Sequence, residues 1–252
     1  MTPHEYLCHV LTTQEMRGED LKVIRTLREE LSGHLGRQLG SGPRIYYGGS
    51  YGKDTMIRES FDLDLVIYYP HTEPGSLANI FGAVHQALVA GKYKVHPQTV
   101  ALRLPYEAGF HVDVVPGKAR DASFHYATLY KNAQPHSTLQ TSLKVHIDAV
   151  RKTELRQIVR LLKLWRLRHS VPLKTFALEI LAARALKGQR KDNYADALLK
   201  IFQFIAKEMT AVRLEDPANS NNVLDISPQD RNSAAQAASQ SLGAPSWAKV
   251  VW

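Results

Sequence analysis

Asp62 and Asp64 head an apolar run, Leu63-Asp64-Leu65-Val66-Ile67, whose alternation suits a strand. Side chains two residues apart leave a strand on the same face, so the two carboxylates point one way while Leu63 and Leu65 enter a core. Adjacent carboxylates repel unless a cation lies between them, and hard oxygen donors favour Mg²⁺. Just upstream, Gly48-Gly49-Ser50 is a turn that can open a helix and present backbone N–H groups and a hydroxyl to phosphate oxygens. Either pattern alone is commonplace at strand ends and turns. A third carboxylate, Asp113, alternates with Val112 and Val114 in Phe110-His111-Val112-Asp113-Val114-Val115-Pro116. If those two runs are sheet neighbours, Asp62, Asp64 and Asp113 suit a pair of ions roughly 4 Å apart that clamp the two oxygens of an in-line displacement. Phosphate cradle and metal carboxylates together point to catalysis on nucleotides.

With these residues the chain resembles the polymerase-β-like nucleotidyltransferases, in the branch of oligoadenylate synthases, cyclic GMP–AMP synthase and the bacterial cyclic-oligonucleotide synthases (CD-NTases) of antiphage defence. The family signature is a Gly-Ser turn, an Asp-x-Asp strand and a later single Asp, here Gly49-Ser50, Asp62/Asp64 and Asp113. Leu161-Leu162-Lys163-Leu164-Trp165 is similar to the family's lysine-bearing helix. The start Lys174-Thr175-Phe176-Ala177-Leu178-Glu179 is similar to its Ser-Tyr-x-x-Glu helix, with Thr175 keeping the hydroxyl. Asp216-Pro217 and Asn221-Asn222-Val223 are similar to a segment of the oligoadenylate synthases. The resemblance implies an α/β (α+β) bilobed fold, with a catalytic lobe over 1–150 and a helical lobe over 151–252 closing the nucleotide site. It also implies attack of a ribose hydroxyl on the α-phosphate of an NTP. Asp62 and Asp64 would hold two Mg²⁺ ions, with Mn²⁺ as a substitute, and Asp113 would hold one of them. Gly49 and Ser50 would bind the β and γ phosphates with Lys163 and Thr175, and Phe176 would stack on a base, a contact that tolerates any base.

The composition is that of a globular chain: 252 residues, 44% hydrophobic and 22% charged. The apolar runs fall short of a membrane span and the start lacks a secretion signal, so a cytoplasmic protein with no membrane contact is expected. A single cysteine, Cys8, excludes an intrachain disulfide framework and a cysteine-based zinc site. The histidines show no metal spacing and are read as structural. A net charge of +8 fits binding of ATP or GTP and leaves a nucleic-acid activator open. Its lysines and arginines are scattered, so charge does not establish one. Control by a regulatory protein or small ligand fits the compact chain better.

Along the chain, Thr12-Thr13-Gln14-Glu15 reads as a capping box opening a long helix with Ile24, Leu27, Leu31 and Leu35 at helical spacing. A strand over 44–47, the Gly-Gly-Ser helix turn, the Asp-x-Asp strand and a helix over 77–90 follow. Segments 100–104 and 110–115 read as a hairpin that carries Asp113 beside the Asp-x-Asp strand. After Pro116 a loop is expected to about residue 148. Helices follow from 152, near 176–186, near 192–209 and from Ser227, which caps a helix with Pro228 at its first position. Arg156, Arg160 and Lys163 align on one helix face, with Lys163 singled out for a triphosphate. The alternatives are a template-independent RNA or tRNA 3′-end transferase, and an inactive binding module of the same fold.

Overall fold

The computed structural model describes residues 1–133 and 137–252. In chain order come α1 (Pro3–Thr13), α2 (Gly18–Leu39), β1 (Arg44–Tyr47), α3 (Gly49–Lys53), β2 (Leu63–Tyr69), α4 (Leu77–Ala90), β3 (His96–Pro97), β4 (Leu102–Pro105), β5 (His111–Ala119), β6 (Ala127–Lys131) and β7 (Ser137–Thr141). Then follow α5 (Leu143–Arg151), α6 (Arg156–Arg168), α7 (Thr175–Ala185), α8 (Tyr194–Glu208), β8 (Glu215–Asp216), β9 (Asn219–Val223) and α9 (Pro228–Leu242). This is the mixed α/β architecture expected from the sequence. Where a boundary is expected at residue 150, the chain forms two compact units from interleaved segments. One holds 16–53 and 60–147; the other holds 1–15, 54–59 and 148–252.

The sheet unit is built on β2 and β5. Strand order is β1-β2-β5-β4-β3, with β6 on β5 and β7 on β6. Strands β2 and β5 run parallel and pair from Leu63↔Val112 to Tyr69↔Lys118. Their shared face is dry: Leu63, Leu65, Ile67, Val112 and Val114 are fully buried, and α4 packs against β5. The other face changes along its length. Asp64 lies at the head of β2, and Tyr68 near its end is so buried that its phenol is pushed up to about 12. Strand β5 pairs β4 over its first half and β6 over its second. Pro116, which has no N–H to donate, falls in the gap between the two pairings.

The expected loop after Pro116 is therefore corrected: β5 continues to Ala119, and β6 and β7 add an antiparallel pair. Their sequences, Ala-Thr-Leu-Tyr-Lys and Ser-Thr-Leu-Gln-Thr, are too polar to announce a strand, because β6 buries only Ala127 and Leu129 and β7 only Thr141. The capping box at 12–15 is corrected too. Thr12 and Thr13 end α1, their hydroxyls bonding back to Cys8 and Val10 carbonyls, while the capping box is Thr2 with Glu5.

The helical unit packs α1, α6, α7, α8 and α9 around Trp165 and Phe202, both fully buried. Trp165 donates its indole N–H to Ser241 at 2.8 Å, so the largest core side chain leaves no polar atom unpaired. Ser227 caps α9 through the Asp230 amide, as expected. No helix among the described residues is long and apolar enough to cross a membrane.

Candidate active site

Three strands bring two acidic residues and an arginine into one row. Asp64 on β2 is the register partner of Asp113 on β5, and Asp113 is in turn the partner of Arg103 on β4. At the usual strand spacing of about 4.8 Å, such partners on one face are direct neighbours. The parallel β2–β5 pairing supplies the sheet neighbourhood that the sequence required for Asp113. Asp62 lies just before β2, with a carboxylate oxygen 3.6 Å from the His111 imidazole that also neighbours Asp113.

The Gly-Gly-Ser turn is locked onto this row. The Gly48 amide donates to the Asp64 carbonyl at 2.9 Å. Gly49 has φ +51°, and a Cβ there would stand 1.6 Å from Asp64 Oδ2. Only glycine allows both the left-handed backbone and this approach of a carboxylate. The Ser50 hydroxyl donates to Asp62 Oδ1 at 3.5 Å, joining the turn to the strand head. Gly49, Ser50, Asp62, Asp64 and Asp113 thus belong to one site in one unit.

Two residues of that site were not singled out from the sequence. Arg103 grips Asp113 with both arms of its fork, Nε to Oδ1 at 2.9 Å and Nη2 to Oδ2 at 2.7 Å. That hydrogen-bonded pairing, aided by the fields of Asp62 and Asp64, holds the guanidinium above its ordinary pKa. The imidazole Nε2 of His111 lies 3.6 Å from Asp62 Oδ2 and 3.7 Å from Asp113 Oδ2, between two carboxylates. The hairpin pattern offered a signal for both: Arg103 is opposite Asp113 across it, and His111 is two residues upstream on the same face.

Among the described residues, no three His, Cys, Asp or Glu side chains converge closely enough to hold an ion as they stand. The donor chemistry nevertheless fits a hard divalent cation. Carboxylates on adjacent strands face one way, a glycine admits Asp64 into the turn, and the one guanidinium on Asp113 offsets only part of their charge.

Lys163, Thr175 and Phe176 belong to the helical unit. Lys163 is 6% exposed and donates its ammonium to the Thr55 carbonyl at 3.2 Å. Its neighbour on the basic face, Arg160, is equally buried and donates to the carbonyls of Leu11, Gln14 and Met56 and to Glu15 and Gln157. Thr175 is the first residue of α7, and Phe176 packs, partly buried, on the helical core.

The chain has the mixed α/β fold of solved bacterial CD-NTase structures, in keeping with the fold that the sequence resemblance implied. No family model matches the chain. The CBASS oligonucleotide cyclase CdnC of Escherichia coli (strain KTE188) is 24% identical over 248 residues, spanning 82% of this chain and 77% of the relative. The E. coli MS115-1 CdnC structure with ATP has a TM-score of 0.75 at 22% identity, covering 99% of this chain and 97% of that one. The same relative in complex with HORMA-deltaN gives 0.74 at 20% identity, covering 99% and 96%. The Bradyrhizobium diazoefficiens CD-NTase CdnG in complex with GTP gives 0.76 at 14% identity, covering 94% and 89%.

Proposed function

We propose that this chain is a metal-dependent nucleotidyltransferase that joins NTPs into a short cyclic or linear oligonucleotide messenger, acting in the cytoplasm in antiphage defence. The observation that carries this is the Asp64–Asp113 register pair on parallel neighbouring strands, with Asp62 and the Gly49–Ser50 turn at its head. It occurs in a chain that matches an oligonucleotide cyclase over most of its length.

Asp62 and Asp64 would hold two Mg²⁺ ions and Asp113 one of them; Mn²⁺, which carboxylate and water oxygens also suit, would substitute. When bound, the ions polarise the α-phosphate and increase the acidity of the attacking ribose hydroxyl. The chain's own part is positional. Gly49 and Ser50 present backbone amides and a hydroxyl to phosphate oxygens, and the β2–β5 ladder fixes Asp64 and Asp113 at strand spacing. The roles of Lys163, Thr175 and Phe176 as nucleotide contacts rest on the family resemblance. Because a relative is solved with ATP and with HORMA-deltaN, ATP or GTP substrates and a regulatory protein partner belong to the same proposal.

Labelled NTPs offered with Mg²⁺, with and without RNA and a partner protein, provide the test. Short products that need no added RNA, lost by more than about 100-fold in Asp64→Asn, are expected. Label appearing only on the 3′ ends of added tRNA would favour the 3′-end transferase instead. No incorporation under any condition would leave the inactive binding module.

A further inference from the structure

The row Arg103–Asp113–Asp64 crosses three adjacent strands with one positive charge followed by two negative ones. A lone pair of facing carboxylates would repel, and like charges directly opposite destabilise a sheet. Arg103 answers that repulsion from the neighbouring strand, and it does so with its whole fork: both oxygens of Asp113 accept from it. The Asp113 side chain is 16% exposed, whereas Arg103 is 41% exposed, so the carboxylate is fixed while the guanidinium has solvent beside it. That asymmetry suits a cation that can leave.

We propose that Arg103 is a positioning residue that acts as a built-in counter-cation, competing with a divalent ion for Asp113 and setting the cation concentration at which the site loads. The inference rests on the metal role assigned above to Asp62, Asp64 and Asp113. A carboxylate has about four lone-pair sites, of which the fork uses two, so an ion can approach Asp113 while Arg103 is still paired. At such separation guanidinium and divalent cation repel each other strongly in a partly solvated site. Each therefore weakens the other's hold on Asp113, and by linkage the two effects are equal in size. The ion, with twice the charge and access to Asp62 and Asp64, wins at sufficient concentration, and Arg103 swings toward solvent. Below that concentration the guanidinium keeps the acidic strands from repelling.

Binding of Mn²⁺ alone, followed by the free-ion paramagnetic resonance signal, reads this directly without turnover. Arg103→Gln is expected to bind Mn²⁺ about tenfold more tightly than the wild type, since one competing charge is gone. Its melting temperature without added cation should fall, and Mn²⁺ should raise that temperature more than in the wild type. Arg103→Lys keeps a charge but loses the fork, so an intermediate affinity is expected. If Arg103→Gln does not fold, the lysine variant carries the test, with tighter binding than wild type expected. Unchanged or weaker Mn²⁺ binding in a folded Arg103 variant overturns the competition, because a purely orienting or structural arginine gives that result. Asp64→Asn separates the inference from its premise: it should abolish the Mn²⁺ binding seen in the wild type. A wild type that takes up no Mn²⁺ refutes the metal role and the inference together.

Discussion

Charge is deployed in opposite ways in the two units. In the sheet unit, Asp62 and Arg103 are more than a third exposed, and the guanidinium offsets part of the acidic row's charge with solvent at its side. In the helical unit, Arg160 is almost wholly buried and donates to the backbone carbonyls of Leu11, Gln14 and Met56. The first arrangement leaves charge available to a ligand; the second uses it to tie chain segments together. Both look alike in sequence, as ionisable residues among apolar ones. Arg160, buried and donating to carbonyls, serves architecture, whereas the clustered carboxylates at the strand heads carry the chemistry proposed above.

The sharpest way to break this contrast lies at Gly49. In Gly49→Ala the new methyl meets Asp64 Oδ2, so the carboxylate must shift by about an ångström, and the positive φ adds strain. Activity should fall about 100-fold, the usual cost of that misplacement, with only about 1–3 kcal/mol lost from stability. Rates per folded molecule and a urea melt separate the two. Arg160→Ala should do the reverse. It leaves the buried carbonyls of Leu11, Gln14 and Met56 without this donor, so stability should drop by about 3 kcal/mol. Turnover per folded molecule should hold; a selective loss of turnover with unchanged stability would blur the distinction between the units.

The smallest effect is expected at Glu59, within the helical unit. Hydrogen bonds from Arg168 lower its carboxyl below the ordinary value. A depressed carboxylate contributes stability above its unfolded-state pKa and loses it as pH falls through the folded-state value. The stability difference between wild type and Glu59→Gln should therefore be full at neutral pH and vanish in acid. Because Glu59 is 35% exposed, salt screening holds that difference under about 1 kcal/mol. Denaturant midpoints across pH, at low and high salt, check both sign and screening.

What could be read from the sequence follows from how each signal arises. The β2 head, the hairpin of β4 and β5, α4 and the Ser227 cap were legible because alternation, spacing and caps are local. Strands β6 and β7 were not, since β6 is held by pairing on the far half of β5, and β7 by pairing on β6, rather than by apolar runs. Thr12 and Thr13 misled because a threonine that bonds back to a helix carbonyl is spelled the same as one that caps. Gly49, Ser50 and the three aspartates lie together in the sheet unit. Arg103 escaped notice because its partner lies ten residues away, and only strand register joins them.

The interleaved segments carry a consequence for how the chain is made. Helix α1 emerges early from the ribosome, yet Leu7, Val10 and Leu11 belong to a core completed by α6, α8 and α9. The sheet unit, drawn from 16–53 and 60–147, is fully synthesised first and can fold while α1 still waits with an unburied apolar face. During that interval a newborn chain exposes a sticky amphipathic helix, and closing it onto residues more than a hundred positions later is entropically slow. Splitting the gene near residue 150 would not yield two independent halves, because the later half lacks the helix that fills its own core.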